Sequence, residues 1–198
     1  MKRIGLAGGI GAGKSAACEF LVKQGFDVID ADDVAHQIVE PDQAAWSALI
    51  DAFGTSILKS DRTLDREYLA KIVFSDSSAR DRLNSITHPA IGIEIIRQLE
   101  ACKSKAAFVA LPLFRAEHRQ IFSLDSAWAV LASPEIAKQR LIEHRGFSDV
   151  DAQARIDSQI SNEVRSSLVN RVIWNEGTVQ DLENCLNEAL ISEGLLSG

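Results

Sequence analysis

The chain opens with RIGLAGGIGAGKSAACEFLVKQ: an apolar run, a cluster of glycines, then apolar residues at helical spacing with Ala17, Phe20 and Leu21 on one side. That order reads as strand, loop, helix. The pattern GxxxxGK[ST] is met here by Gly8, Gly13, Lys14 and Ser15, in the context the pattern requires. Glycines let the backbone curl until successive N–H groups point inward, and the positive end of the following helix adds to their field. Such a cradle draws phosphate oxygens. Lys14 sets a charge on the terminal phosphates, and the Ser15 hydroxyl can ligate Mg2+. A turn that merely joins strand to helix does not account for the Lys-Ser pair. The loop is therefore expected to hold a nucleoside triphosphate through Gly9, Gly11, Ala12, Gly13, Lys14, Ser15 and Ala16.

The rest of the chain continues the alternation. FDVIDAD reads as a second strand ending in carboxylates, and the stretch from Asp33 to about Lys105 is mostly helical, with apolar steps of three and four. HPAIGIEIIRQLEACK reads as one of these helices, started at His88 with Pro89 in its first turn. Ala106–Phe114 reads as a buried strand stopped by Pro112, and Ser126–Ser133 as another. PEIAKQRLIEHR follows as a helix, Ser148 caps the next, RVIWNEG is a last short strand, and a helix closes the chain. Strands alternating with helices imply an α/β fold, a parallel sheet with helices on both faces.

Composition narrows the function. Of 198 residues 25% are charged and the formal net charge is -7, which argues against a general nucleic-acid binder because phosphate backbones need a basic face. A small anionic ligand needs only a few converging arginines. Cys18, Cys102 and Cys185 are odd in number and far apart, with neither metal-ligand nor disulfide spacing. No run approaches the roughly 18 apolar residues of a spanning helix, and no secretory signal opens the chain. The expectation is a soluble cytoplasmic protein, a monomer or weak homo-oligomer without membrane partners.

The cradle alone does not name the acceptor. Guanine-specific switch proteins need an NKxD motif, which is absent. Kinases of small molecules place a carboxylate near the end of the second strand, facing the loop. VIDAD supplies Asp30 and Asp32, on the same side if the strand continues that far, and either can accept a hydroxyl proton as the phosphoryl group transfers. The competing reading makes Asp30, Asp32 and Asp33 a solvated cap for the next helix.

GLAGGIGAGKS, VIDADDVAHQIV, Phe53-Gly54, Leu64 to Arg66, Val73-Phe74 and His88-Pro89 occur in an order and spacing that resemble the dephospho-coenzyme A kinases. Gln139-Arg140-Leu141, ARIDSQ from Ala154 to Gln159, and VIWNEG from Val172 to Gly177 extend the likeness over nearly the whole chain. The resemblance implies ATP-dependent phosphorylation of the ribose 3′-hydroxyl of dephospho-CoA. It also implies a P-loop NTPase-type nucleotide-binding core (1–32 and 106–198), a helical CoA-side domain (33–105) and a small lid at about 141–161. By the same resemblance Asp32 is the general base, Lys14 and Arg140 act on phosphate, Ser15 holds the metal, and Asn175 and Gly177 line the adenine pocket. Arg66 and His88 become substrate-side candidates. Independently of it, Arg140, Arg145, Arg155 and Arg165 are concentrated in an acidic chain, and phosphoryl transfer needs cations around spreading charge.

The pattern also breaks. Ala110 stands where the family carries a strand-end aspartate near the metal, and Ala116 where it carries a glutamate, unless a one-residue shift recruits Glu117. His144 replaces an arginine and Asn170 an aspartate. An active kinase in which Asp30, Asp32 or Glu117 compensates is the first reading. The alternatives are a low-activity or catalytically dead nucleotide- or CoA-binding homologue, or a P-loop kinase for another small molecule.

Overall fold

A computed structural model describes residues 1–197. Its contacts divide the chain into two compact units, Met1–Asp30 with Cys102–Gly198, and Ala31–Ala101.

The first unit is built on five parallel strands, β1 (Lys2–Gly8), β2 (Asp27–Asp30), β3 (Ala106–Ala110), β4 (Ser126–Leu131) and β5 (Arg171–Trp174), in the order β2-β3-β1-β4-β5. A parallel sheet is covered on both faces, so its central strands must be apolar almost throughout. AAFVA in β3 and SAWAVL in β4 meet that demand and are buried at every position. On one face Ile4, Leu6, Phe108, Trp128 and Ile173 form a core with α1 (Lys14–Lys23) and α10 (Val179–Ser192). Side chains alternate along a strand, so Gly5 faces the other side, where a Cβ would fall 2.9 Å from both Phe114 and Leu124. α9 (Asn162–Leu168) packs against β4. α6 (Glu117–Ile121), α7 (Pro134–Arg145) and α8 (Asp149–Asp157) complete this unit. Ser148 caps α8 by accepting from the Asp151 N–H at 3.1 Å.

The second unit is helical: α2 (Ala31–Gln37), α3 (Ala44–Phe53), a 3-10 turn at Thr55–Ile57, α4 (Arg66–Ser75) and α5 (Ser77–Ala101), with α5 packed on α2, α3 and α4. Among the described residues no helix is long and apolar enough to cross a membrane.

Three expectations need correction. The second strand stops at Asp30, and Ala31 already begins α2, so Asp30 and Asp32 do not share a strand face. The ladder partner runs out there: Asp30 pairs with Ala110, where β3 ends ahead of Pro112, which has no N–H to donate. For the same reason the strand expected over Ala106–Phe114 is five residues long. Pro89 does not start a helix but sits inside the 25-residue α5. The backbone bond lost at Pro89 is one among many in a helix packed on three neighbours, and burial along its length outweighs it.

Candidate active site

The glycine loop leaves the sheet at the carboxyl end of its central strand, where open α/β sheets hold ligands. Gly11 and Gly13 adopt φ of +71° and +99°, in the left-handed region. Space forbids a side chain as well: a Cβ on Gly11 would lie 2.7 Å from the Ala137 carbonyl oxygen, and one on Gly13 would strike the Asn175 carboxamide. The Ala12 N–H donates to the Gly9 carbonyl at 3.2 Å and tightens the curl. No side chain caps α1, so its first-turn N–H groups remain directed at the loop. Lys14 opens that helix with its Nζ 3.4 Å from Asp30 Oδ2, and Ser15 beside it is exposed.

A second loop, between β5 and α10, closes on the first. Asn175 is buried, and its Nδ2 donates to the Ala12 carbonyl at 2.9 Å. Arg140, on α7, donates to the Asn175 carbonyl at 3.0 Å, to Asn175 Oδ1 at 3.2 Å and to the Gly177 carbonyl at 2.9 Å. Lys14, Arg140, Asn175 and Gly177, expected together, thus converge around the loop. Glu176 was not foreseen; it accepts from the Ser133 N–H at 2.7 Å and hydroxyl at 2.8 Å, which ties this loop to the start of α7.

Beside the glycine loop lies a cavity of about 280 Å³, bounded by Gly9, Ile10, Pro134, Ala137 and the segment from Ile156 to Arg165. Gln159 Oε1 accepts from the Ile10 N–H at 3.1 Å and from Arg165 Nη2 at 2.6 Å. Burial pushes the Arg165 guanidinium's pKa down from its usual value. Sequence reasoning named Arg165 only as one of four arginines and gave Gln159 no role; its presence in ARIDSQ was the one available signal. Arg155, from the same group, stacks on the Phe147 ring at 4.3 Å, and Arg145 is exposed at the end of α7.

The substrate-side candidates belong to the second unit. Asp32 is exposed in the first turn of α2, where a carboxylate also complements the helix dipole. Arg66 is the exposed first residue of α4, after the Asp65 cap, and His88 is exposed on α5.

A family model described as dephospho-CoA kinase matches residues 2–181. The chain belongs to the dephospho-CoA kinase family. A dephospho-CoA kinase of Corynebacterium glutamicum is 42% identical over 186 residues, 92% of this chain and 95% of the relative. A Thermus thermophilus crystal structure superposes with a TM-score of 0.80 at 28% identity, covering 100% of this chain and 98% of that one. The dephospho-CoA kinase from Campylobacter jejuni gives 0.67 at 28% identity, with the same coverage.

For a dephospho-CoA kinase the departures noted in the sequence have concrete settings. Ala110 is fully buried and is the register partner of Asp30, so a strand-end carboxylate is present one strand over. Glu117 is exposed and pairs with Arg115 at 3.5 Å. Asn170 keeps the acceptor an aspartate would supply, since its Oδ1 accepts from the Ala127 N–H at 2.9 Å and from Arg119 at 2.8 Å. Among the described residues no three His, Cys, Asp or Glu side chains cluster to hold a metal.

Proposed function

We propose a division of labour for the ATP-dependent phosphorylation of dephospho-CoA that membership of this family assigns to the chain. The loop from Gly9 to Ala16 binds the ATP phosphates through its backbone N–H groups, and Lys14 contacts the terminal ones. Asn175 and Gly177 border the adenine, and Arg140, which the resemblance assigned to phosphate, here keeps that border in place by holding their oxygens. The acceptor is the ribose 3′-hydroxyl. Its oxygen bonds to the γ-phosphorus as the bond from that phosphorus to the bridging oxygen breaks; ADP leaves with the electron pair, and the hydroxyl proton passes to Asp32. Arg66 and His88 serve the dephospho-CoA side.

The donor set suits Mg2+, which takes one or two protein oxygens and keeps waters and phosphate oxygens for the rest. Ser15 would ligate it, with the Asp30 carboxylate ordering its waters in place of the aspartate missing at Ala110. When bound, the ion neutralises charge on the phosphates. The reading keeps the protein a monomer or weak homo-oligomer. The cytoplasm, with its ATP supply, is the compartment this reading assigns to the reaction.

The observation that carries this reading is the convergence of Lys14, Asp30, Arg140 and Asn175 on a glycine loop with two left-handed glycines. The test is steady-state ADP formation with Mg-ATP, with and without dephospho-CoA. Saturable, dephospho-CoA-dependent turnover is expected. ATP binding without turnover would instead favour the nucleotide-binding homologue, with the break at Ala110 as its cause.

A further inference from the structure

Among the described residues Arg165 is the one buried arginine, 9% exposed, yet it stands without a counter-charge. Among the described residues no carboxylate is within ion-pair distance of it. Its hydrogen-bond partner is the neutral Gln159 carboxamide oxygen at 2.6 Å. A buried guanidinium is costly unless an anion completes it, and this one lines a cavity instead of being sealed in packed core. Two carboxylates share that lining and are held elsewhere: Asp157 accepts from Gln153 at 2.9 Å, and Glu163 from the Ser161 hydroxyl.

The direction of the guanidinium is informative. A Cβ on Gly9 would lie 3.1 Å from Arg165 Nη1, so the group rests directly on the backbone of the phosphate-binding loop. The next residue's N–H, on Ile10, donates at 3.1 Å to the same Gln159 oxygen that Arg165 holds. Only a carboxamide oxygen can accept from both donors, which settles the orientation of the amide. One oxygen therefore bridges a loop N–H and a buried cation. A phosphate oxygen takes both kinds of donor at once, and binds a guanidinium more strongly than a neutral amide does.

We propose that Arg165 contacts the terminal phosphate of the bound nucleoside triphosphate, and that the Gln159 oxygen occupies that phosphate oxygen's position beside the Ile10 N–H until the nucleotide enters. The segment joining α8 to α9 thus carries a built-in stand-in for the ligand. Arg165 then stabilises the charge that spreads over the transferred group, in the same chain as the loop. This rests on the reading of the loop as an ATP site.

The experiment compares binding of ADP and of a non-hydrolysable ATP analogue to the full chain and to Arg165→Gln. The substitution is expected to weaken the analogue about tenfold or more while leaving ADP within about twofold. It should also cut kcat with dephospho-CoA by roughly a hundredfold, the scale for losing one transition-state donor. Equal weakening of both nucleotides, or of neither, overturns the proposal. Should the variant not fold, the wild-type Arg165 Nε–Hε resonance decides: it should shift with the ATP analogue and not with ADP, and an identical response to both overturns the idea. Both binding readouts omit dephospho-CoA, so a wrong acceptor assignment would show as missing turnover while leaving them intact.

Discussion

Arg140 grips Asn175 at two points, the main-chain carbonyl at 3.0 Å and the side-chain oxygen at 3.2 Å, while the other end of that carboxamide donates to Ala12 in the phosphate loop at 2.9 Å. One buried amide therefore couples the loop expected to face the phosphates to the loop expected to border the base. Asn175→Ala removes the two side-chain links, keeps the main-chain one to Arg140, and leaves the Ala12 carbonyl without this donor. A cost of about 1–3 kcal/mol is expected, the usual range for a buried polar group left unpaired. Urea unfolding measures it. ADP and ATP should lose affinity together, since the defect lies in the scaffold both use; selective loss of ATP would contradict this.

Asp32 is exposed at the start of α2, two residues after the Asp30 that sits beside Lys14. Asp32→Asn keeps the shape and removes the proposed proton acceptor. Turnover should fall by roughly a hundredfold or more, the scale of a lost general base, with nucleotide affinity retained. Initial rates and nucleotide titration on the same preparation separate the two effects. Unchanged turnover takes Asp32 out of the mechanism.

Gln159→Glu converts the neutral stand-in into a charged one, facing the Ile10 N–H and the Arg165 guanidinium. Hydrogen bonds to a charged group exceed neutral ones by about 1 kcal/mol, so the melting temperature should rise by roughly 2–4 °C in a chain of this size. The ATP analogue should bind more weakly, because it must displace a carboxylate. A variant both less stable and still tight for ATP would show that the oxygen at 159 does not compete with phosphate.

Acid sensitivity has a specific source in the helical unit. Arg97 donates to Glu94 at 2.6 and 2.7 Å and Gln98 at 2.9 Å, which lowers the Glu94 pKa from 4.5 to about 2. The unfolded chain binds this proton first, so the contribution is complete above about pH 4.5 and is lost as pH falls toward 2. In denaturant midpoints, Glu94→Gln should be less stable than wild type at pH 7, and the gap should narrow by pH 3. A gap independent of pH would assign the effect to packing.

Much of this site could be read from the chain because its physics is local. A strand, a left-handed glycine turn and a helix start occupy one short run, so the geometry of the loop around Gly11, Gly13, Lys14 and Ser15, the proposed phosphate cradle, needs no help from the rest of the fold. The alternation of apolar runs with helical spacing likewise pointed to a parallel sheet under helices, with AAFVA and SAWAVL as its strands buried on both faces. Tertiary structure decided what depends on partners. Where β2 ends was set by the end of β3 across the ladder, which turned Asp32 from a strand residue into a helix residue. Pro89 stays inside α5, a helix that packs on three neighbours. Gln159 meets Ile10 across 149 residues of chain, and Arg165 is buried on α9, the helix that packs on β4. No local pattern encodes such a meeting: a glutamine and an arginine six residues apart look like any helix surface until the sheet brings them onto the loop.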